Sequence, residues 1–120
     1  MIENSKIFMT DNGFMISEHM LESIRAYITK GCPVGSFLQA VIANELTEAC
    51  LRADDVNIRN LPAFAWFFYD RAPRQCWGSR EAYKAWVELR GLEGLNKQNP
   101  NPEYESIWNE SDGSIVRRKT

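Results

Sequence analysis

A short segment in the second half of the chain, Cys76-Trp77-Gly78-Ser79-Arg80, combines residue types that bind phosphorylated ligands. Gly78 and Ser79 are typical of a helix start, where free backbone amides and the helix dipole attract anions. The indole of Trp77 offers a face on which a base stacks. The predicted ligand-binding residues are Arg74, Trp77, Ser79 and Arg80. An ordinary capped helix is the competing interpretation, and Gly35-Ser36, which repeats the pattern without an arginine, favours it.

Catalytic and metal-binding groups are sparse in the sequence. His19 is the single histidine, and we expect it at the polar start of a helix without a nucleophile near it in sequence. Glu45 and Glu48 have the ExxE spacing that some pyrophosphohydrolases use for magnesium, but the following helix supplies only Asp70 as a further acidic ligand. No phosphate-binding loop, zinc motif or hydrolase motif occurs. The sequence therefore predicts no catalytic residue, no metal site and no cofactor, and it favours a protein that is not an enzyme.

Two other groups of residues are candidates for contact with a macromolecule. The first is the aromatic cluster Trp66, Phe67 and Tyr69, because aromatic side chains dominate the energetics of protein interfaces. The second is the basic end of the chain, where Arg117 and Arg118 are candidates for contact with an acidic partner or with nucleic acid. The net charge of −2, from 14 basic and 16 acidic residues, argues against a general nucleic-acid binder. Most of the aromatic side chains are expected to lie in the hydrophobic core.

The composition is that of one globular domain. The chain has 120 residues, of which 44% are hydrophobic and 25% are charged. Three widely spaced cysteines predict reduced thiols rather than a disulfide framework. No signal peptide and no apolar stretch of about 18 residues is visible, so we expect a cytoplasmic protein without a membrane span.

The spacing of apolar residues predicts four helices, at Glu18–Lys30 and at residues 36–53, 55–72 and 80–90. Their predicted caps are Ser17, Ser36 in a capping box with Gln39, and Ser79. Pro62 predicts a kink in the third helix or a new start near Asn60. The second half of that helix, FAWFFYD at 64–70, is apolar on every side, which predicts that the other three helices, or a second subunit, surround it.

Short hairpins are predicted at both ends of this mainly α-helical domain. At the N-terminal end, residues 6–16 contain the turn sequence Asp11-Asn12-Gly13. Residues 1–91 thus form a helical core with a hairpin, and residues 92–120 form an extension of the same domain. We expect this extension to be a loop through Pro102, followed by a docked hairpin of residues 106–108 and 114–116 around Ser111-Asp112-Gly113.

Residues 20–89 resemble a group of short accessory proteins encoded by bacteriophages and prophages. The resemblance rests on GCPVGSFL at 31–38, AVIANEL at 40–46, RAD at 52–54, FYDRAP at 68–73, CWGS at 76–79 and AW at 85–86. It covers a little over half of the chain and assigns no catalytic residue. It implies a small protein that acts in the cytoplasm of a bacterial host.

The expected function is therefore binding without catalysis, with a host bacterial protein as the partner and inhibition of a host defence or processing factor as the outcome. One alternative is a protein that sequesters nucleotides or signalling nucleotides. A second alternative is a nucleic-acid-associated protein that uses the basic C-terminal end. The surplus of apolar surface on the third helix also predicts a homodimer.

Overall fold

The computed structural model describes residues 8–98 and two short strands farther along the chain. This part of the protein contains seven α-helices and one 3₁₀ turn. The helices are α1 (Glu18–Lys30), α2 (Ser36–Ile42), α3 (Leu46–Arg52), α4 (Asp55–Arg59), α5 (Leu61–Arg71), α6 (Arg80–Leu89) and α7 (Gly91–Gln98), and the 3₁₀ turn is Arg74–Cys76. The predicted mainly helical fold is confirmed, but the helices divide the chain more finely than the four predicted ones. None of the helices in these residues is both long and apolar enough to cross a bilayer.

Two antiparallel hairpins flank the helices, as the sequence predicts. Strand β1 (Phe8–Met9) pairs with β2 (Met15–Ile16) around the predicted Asp-Asn-Gly turn. Strand β3 (Tyr104–Ser106) pairs with β4 (Val116–Arg118), two residues outward from the predicted strands. Strand β3 lies against α7, the helix that precedes it in the chain. The predicted turn at residues 111–113 lies outside the described residues.

The first helix has the predicted bounds. Gly31 ends it in the left-handed conformation, with φ of 70°, and its amide donates a hydrogen bond to the carbonyl of Tyr27. Ser17 occupies the predicted N-cap position, but its side chain accepts no capping hydrogen bond. Leu21, Ile24 and Ile28 are buried on the inner face of this helix.

The second predicted helix is two helices, which corrects the prediction of one continuous helix over residues 36–53. Asn44 adopts the left-handed conformation, with φ of 63°, and this turns the chain between α2 and α3. The predicted capping box is also wrong, because the N-cap of α2 is Gly35 rather than Ser36. Gln39 instead donates a side-chain hydrogen bond to the carbonyl of Val34 at 2.8 Å.

The third predicted helix breaks at Asn60, as Pro62 indicates, and this separates α4 from α5. Proline is accommodated in the first turn of α5 because the amides of a first turn have no acceptor within the helix. The side chain of Asn60 fixes the break, since its Oδ1 accepts from the Met15 amide at 2.9 Å and its Nδ2 donates to the Val56 carbonyl at 2.9 Å. The N-terminal hairpin is thereby tied to the start of α5.

Aromatic side chains form much of the core around α5. Phe67 meets Phe8 edge to face with ring centroids 5.2 Å apart, and Phe64 meets Phe37 in the same way at 5.1 Å. This geometry is preferred because the positive edge of one ring faces the negative face of the other. Other fully buried large side chains include Tyr27, Phe68, Trp86 and Leu92.

The prediction of a loop through Pro102 is wrong for its first part, because the helix α7 occupies residues 91–98. Residues 99–103 lie outside the described part of the structure. Gly91 does interrupt the helix as predicted, but the chain turns at Arg90, with φ of 71°, and continues as α7. Leu92 is fully buried and Leu95 is partly buried, so one face of α7 packs onto the core. Tertiary packing therefore stabilises a helix whose own sequence contains two glycines.

Candidate functional site

The segment from Cys76 to Arg80 leads into α6 and is hydrogen-bonded to the end of α2. The Gly78 amide donates to the Ile42 carbonyl at 2.7 Å, and the φ of Gly78 is +114°, a value that favours glycine. Ser79 Oγ accepts from the Ala82 amide at 3.0 Å, which is the hydrogen bond of an N-cap. The capping interpretation of Ser79 is therefore confirmed.

Arg80 is engaged within the protein. Its Nη2 lies 2.5 Å from Glu45 Oε1, its Nε lies 3.3 Å from Glu45 Oε2, and its Nη1 donates to Gln39 Oε1 at 3.1 Å. The hydrogen bonds from Arg80 lower the pKa of the Glu45 carboxyl. Since a carboxylate occupies the guanidinium fork, this arginine presents a neutralised pair rather than an unpaired cation.

The four predicted ligand-binding residues differ in their exposure and in their contacts. Arg74 lies exposed in the 3₁₀ turn, whereas Trp77 is half-buried with its ring centroid 6.4 Å from that of Phe68. Ser79 and Arg80 are bonded as described. Within residues 8–98, no group of three or more histidine, cysteine or acidic side chains is placed to hold a metal ion.

Ser79→Ala is expected to destabilise the protein by about 1 kcal/mol, because the Ala82 amide loses its capping acceptor. Arg74→Ala, which changes an exposed side chain in the preceding 3₁₀ turn, should alter the free energy of unfolding by less than about 0.5 kcal/mol. Urea unfolding followed by circular dichroism measures both values. Equal losses for the two variants would contradict the capping role of Ser79.

One open depression lies between α2, α3 and α5, and we call it the α5 groove. Its volume is about 260 Å³ and its lining is mostly apolar. The small residues Ala40, Ala49 and Ala65 come one from each helix, and Leu46 and Tyr69 are the most exposed apolar side chains that line it. Its other lining residues are Val41, Asn44, Glu45, Leu61, Phe68 and Trp77. The groove does not follow from the sequence, because residues 36–53 predict one continuous helix rather than the pair α2 and α3 that forms its walls.

A second depression lies between α5 and the N-terminal hairpin, and we call it the hairpin cleft. Its volume is about 430 Å³, and it is lined by Met9, Thr10, Asp11, Asn12, Phe14, Pro62, Trp66 and Arg71. Arg71 stacks over the ring of Phe8 at 5.4 Å and donates to Asp70 Oδ2 at 2.9 Å. The cleft thus combines apolar and aromatic walls with side chains of both charges.

The predicted partner-binding residues have different positions in the structure. Trp66 is 47% exposed in the hairpin cleft, and Tyr69 is 70% exposed at the rim of the α5 groove. Their ring centroids lie 6.3 Å apart. Phe67 is fully buried and is a core residue rather than part of a contact surface. Arg117 and Arg118 lie in β4, and their side chains are outside the described part of the structure.

His19 and Cys76 lie in different environments. His19 is exposed and lies in a third depression with Ser23, Ser36, Arg52 and Asp54. Two of these are engaged elsewhere, since Asp54 caps α4 and Arg52 pairs with Glu48. Cys76 is buried, and burial raises the pKa of its thiol, which makes the thiol unreactive.

Comparison of the chain with protein-family models, with curated proteins and with solved structures found no significant match.

Proposed function

We propose that this chain is a small accessory protein without catalytic activity that binds a host bacterial protein through the hairpin cleft. The observation that carries the proposal is the position of Trp66. This tryptophan is 47% exposed and lines a cleft, whereas Trp86 is fully buried and Trp77 is half-buried. Exposed tryptophans beside a cavity are enriched among the residues that dominate binding energy.

The composition of the cleft suits a protein partner. Trp66, Met9 and Arg71 belong to the three residue types that are enriched at protein interfaces, and Asp11 and Asn12 add a polar edge. Such a mixture of apolar, aromatic and polar side chains is typical of a protein interface. A nucleotide needs several cationic or amide donors directed at its phosphates, whereas the lining of the cleft includes the acidic Asp11 as well as Arg71.

The resemblance of residues 20–89 to phage and prophage accessory proteins supplies the biological setting for this proposal. In that setting the host protein is a defence or processing factor, and its inhibition is the outcome of binding. The sequestration of nucleotides stays an alternative, and the bonds that Arg80 makes to Glu45 and Gln39 weigh against it.

The test is affinity capture from a bacterial lysate with the wild-type protein and with Trp66→Ala, followed by mass spectrometry of retained proteins and of released small molecules. We expect the wild type to retain a specific protein and Trp66→Ala to lose most of it, because truncation of such an anchor costs about 2 kcal/mol or more of binding energy. Leu51→Ala is the matched control, since Leu51 is 74% exposed and lines neither cavity.

Retention of the same protein by Trp66→Ala at the wild-type level would contradict the role of the hairpin cleft. Release of a nucleotide, together with a rise of the melting temperature when that nucleotide is added, would favour the sequestration alternative instead. Retained nucleic acid whose binding weakens steeply with salt would favour the second alternative.

A further inference from the structure

We infer that the hairpin cleft receives an arginine side chain of the partner protein, which stacks on Trp66 and pairs with the carboxylate of Asp11. This inference rests on the proposed function, because it names the chemistry of the partner at the same cleft. Trp66 lines the cleft from α5, and Asp11 lines it from the turn of the N-terminal hairpin. The feature that carries the inference is this juxtaposition of an exposed aromatic ring and a carboxylate.

Asp11 contributes a negative charge to the cleft that no described residue compensates. It is exposed, and within residues 8–98 its side chain takes part in no hydrogen bond or ion pair. Of the described residues that line the cleft, Arg71 is the only cation, and its Nε donates to Asp70 Oδ2 at 2.9 Å. Because Arg71 is already paired with a carboxylate of its own, a partner that is complementary to the cleft supplies a cation for Asp11.

The ring of Trp66 suits a guanidinium group. Tryptophan is the aromatic side chain that attracts cations most strongly, and the planar head of arginine stacks on aromatic faces. The fold already contains such a contact, since Cζ of Arg71 lies 5.4 Å from the centre of the Phe8 ring while its Nε bonds to Asp70. An aromatic ring and a carboxylate thus hold one arginine within the protein, and Trp66 and Asp11 offer the same two groups to an arginine of the partner.

The rest of the cleft suits the aliphatic part of an arginine. Its volume of about 430 Å³ lies within the range of roughly 300–1,000 Å³ that is usual for ligand cavities, and Met9, Phe14 and Pro62 are apolar lining residues. Arginine buries its methylene groups along apolar surface while its charged head keeps polar partners. Lysine has the same charge but lacks the planar fork that pairs with a carboxylate through two hydrogen bonds. The cleft therefore favours arginine over lysine, and a cation over an uncharged or acidic side chain.

Peptide titrations followed by NMR test this specificity. The probes are short peptides with blocked ends in which leucine flanks one variable residue, which is arginine, lysine, citrulline or glutamate. Citrulline keeps the shape of arginine and loses its charge. Each peptide is added to isotope-labelled protein, and the indole N–H signal of Trp66 is assigned by comparison with Trp66→Leu. We expect the arginine peptide to bind at least about fivefold more tightly than the citrulline peptide, and the glutamate peptide to bind more weakly than either.

Asp11→Asn and Asp55→Asn separate the role of the cleft carboxylate from a general effect of charge removal. Asp11→Asn loses the charge and keeps the size of the side chain, so it should bring the affinities for the arginine and citrulline peptides close together. Asp55→Asn makes the same change at an exposed residue that does not line the cleft, and it should leave the preference for arginine unchanged. Trp66→Leu should weaken binding of the arginine peptide more than that of the citrulline peptide, because the ring attracts only the charged head.

Equal affinities of the wild type for the arginine and citrulline peptides, tighter binding of the glutamate peptide, or an unchanged Trp66 signal with every peptide would overturn the inference. Capture of the host protein separates this result from the proposed function. If Asp11→Lys retains the captured protein at the wild-type level while Trp66→Ala loses it, the inference fails and the proposed function stands. If the wild type prefers the arginine peptide but Trp66→Ala still captures the host protein, the proposed function fails while the specificity of the cleft for arginine stands.

Discussion

Gly91→Ala is expected to destabilise the protein by about 2–5 kcal/mol, as the combined cost of a left-handed backbone and of steric overlap. Gly91 has a φ of +67°, and a Cβ atom there would lie 2.6 Å from the Gly31 amide nitrogen and 2.8 Å from the Ile28 carbonyl oxygen. These are backbone atoms of the last turn of α1 and its cap. They cannot rotate away, so α1 and the α6–α7 junction would have to separate.

Gly13→Ala is the matched control for this effect. Gly13 also has a positive φ, of +90°, but a Cβ there would meet no atom within 4 Å. Its loss should therefore be limited to the conformational cost of about 1–2 kcal/mol. Chemical unfolding monitored by circular dichroism compares the two variants. Losses of equal size would show that the close approach of Gly31 and Gly91 contributes nothing to stability.

Trp86→Ala is expected to cost about 3–5 kcal/mol, because it removes a large buried side chain and leaves a cavity. Trp86 is fully buried on α6, and its Nε1 donates to the carbonyls of Tyr27 and Ile28 at 3.0 and 3.2 Å. Both carbonyls belong to the last turn of α1, and the Tyr27 carbonyl also accepts from the Gly31 amide that caps this helix. The indole therefore closes the core and also binds the end of α1.

Trp66→Ala is the control for the same chemical change at a half-exposed site, and its loss of unfolding free energy should be smaller than that of Trp86→Ala because 47% of Trp66 is already exposed to solvent. Trp86→Phe gives a second measurement if the alanine variant does not fold. It keeps most of the apolar volume but loses both hydrogen bonds, so its stability should fall between those of the wild type and Trp86→Ala. Thermal and urea unfolding measure these differences. Equal stabilities of Trp66→Ala and Trp86→Ala would contradict the packing described.

The sequence by itself determined those features that depend on neighbouring residues. The bounds of α1, the cap at Ser79, the break at Asn60 and the turn of the N-terminal hairpin are all encoded within a few residues. A cap hydrogen bond, a proline without an amide and a glycine with a positive φ act locally. Each of these features therefore occurs where the sequence places it.

Tertiary contacts decided the remaining helix boundaries. The spacing of apolar residues predicts one helix over residues 36–53, but a left-handed turn at Asn44 divides it into α2 and α3. Helix α3 then forms one side of the α5 groove. Helix α7 forms from a sequence rich in glycine because Leu92 is buried and because Gly91 meets Gly31. Neither the burial of Leu92 nor the close approach of Gly91 to Gly31 can be predicted from neighbouring residues, since the segments in contact lie far apart along the chain.

The candidate site was predicted only in part, and the reason lies in the sequence of α5. Trp66, Phe67 and Tyr69 were equal candidates for a contact surface because a helix that is apolar on all sides does not indicate which face is buried. The hairpin decides this, since Phe8 packs on Phe67 and leaves Trp66 at the wall of a cleft. Likewise, Arg80 was a plausible anion ligand until the fold brought Glu45 to it from the turn before α3. Sequence spacing predicts which residues share a helix, but only the packing of distant segments determines which of them remain exposed and which cations are already paired.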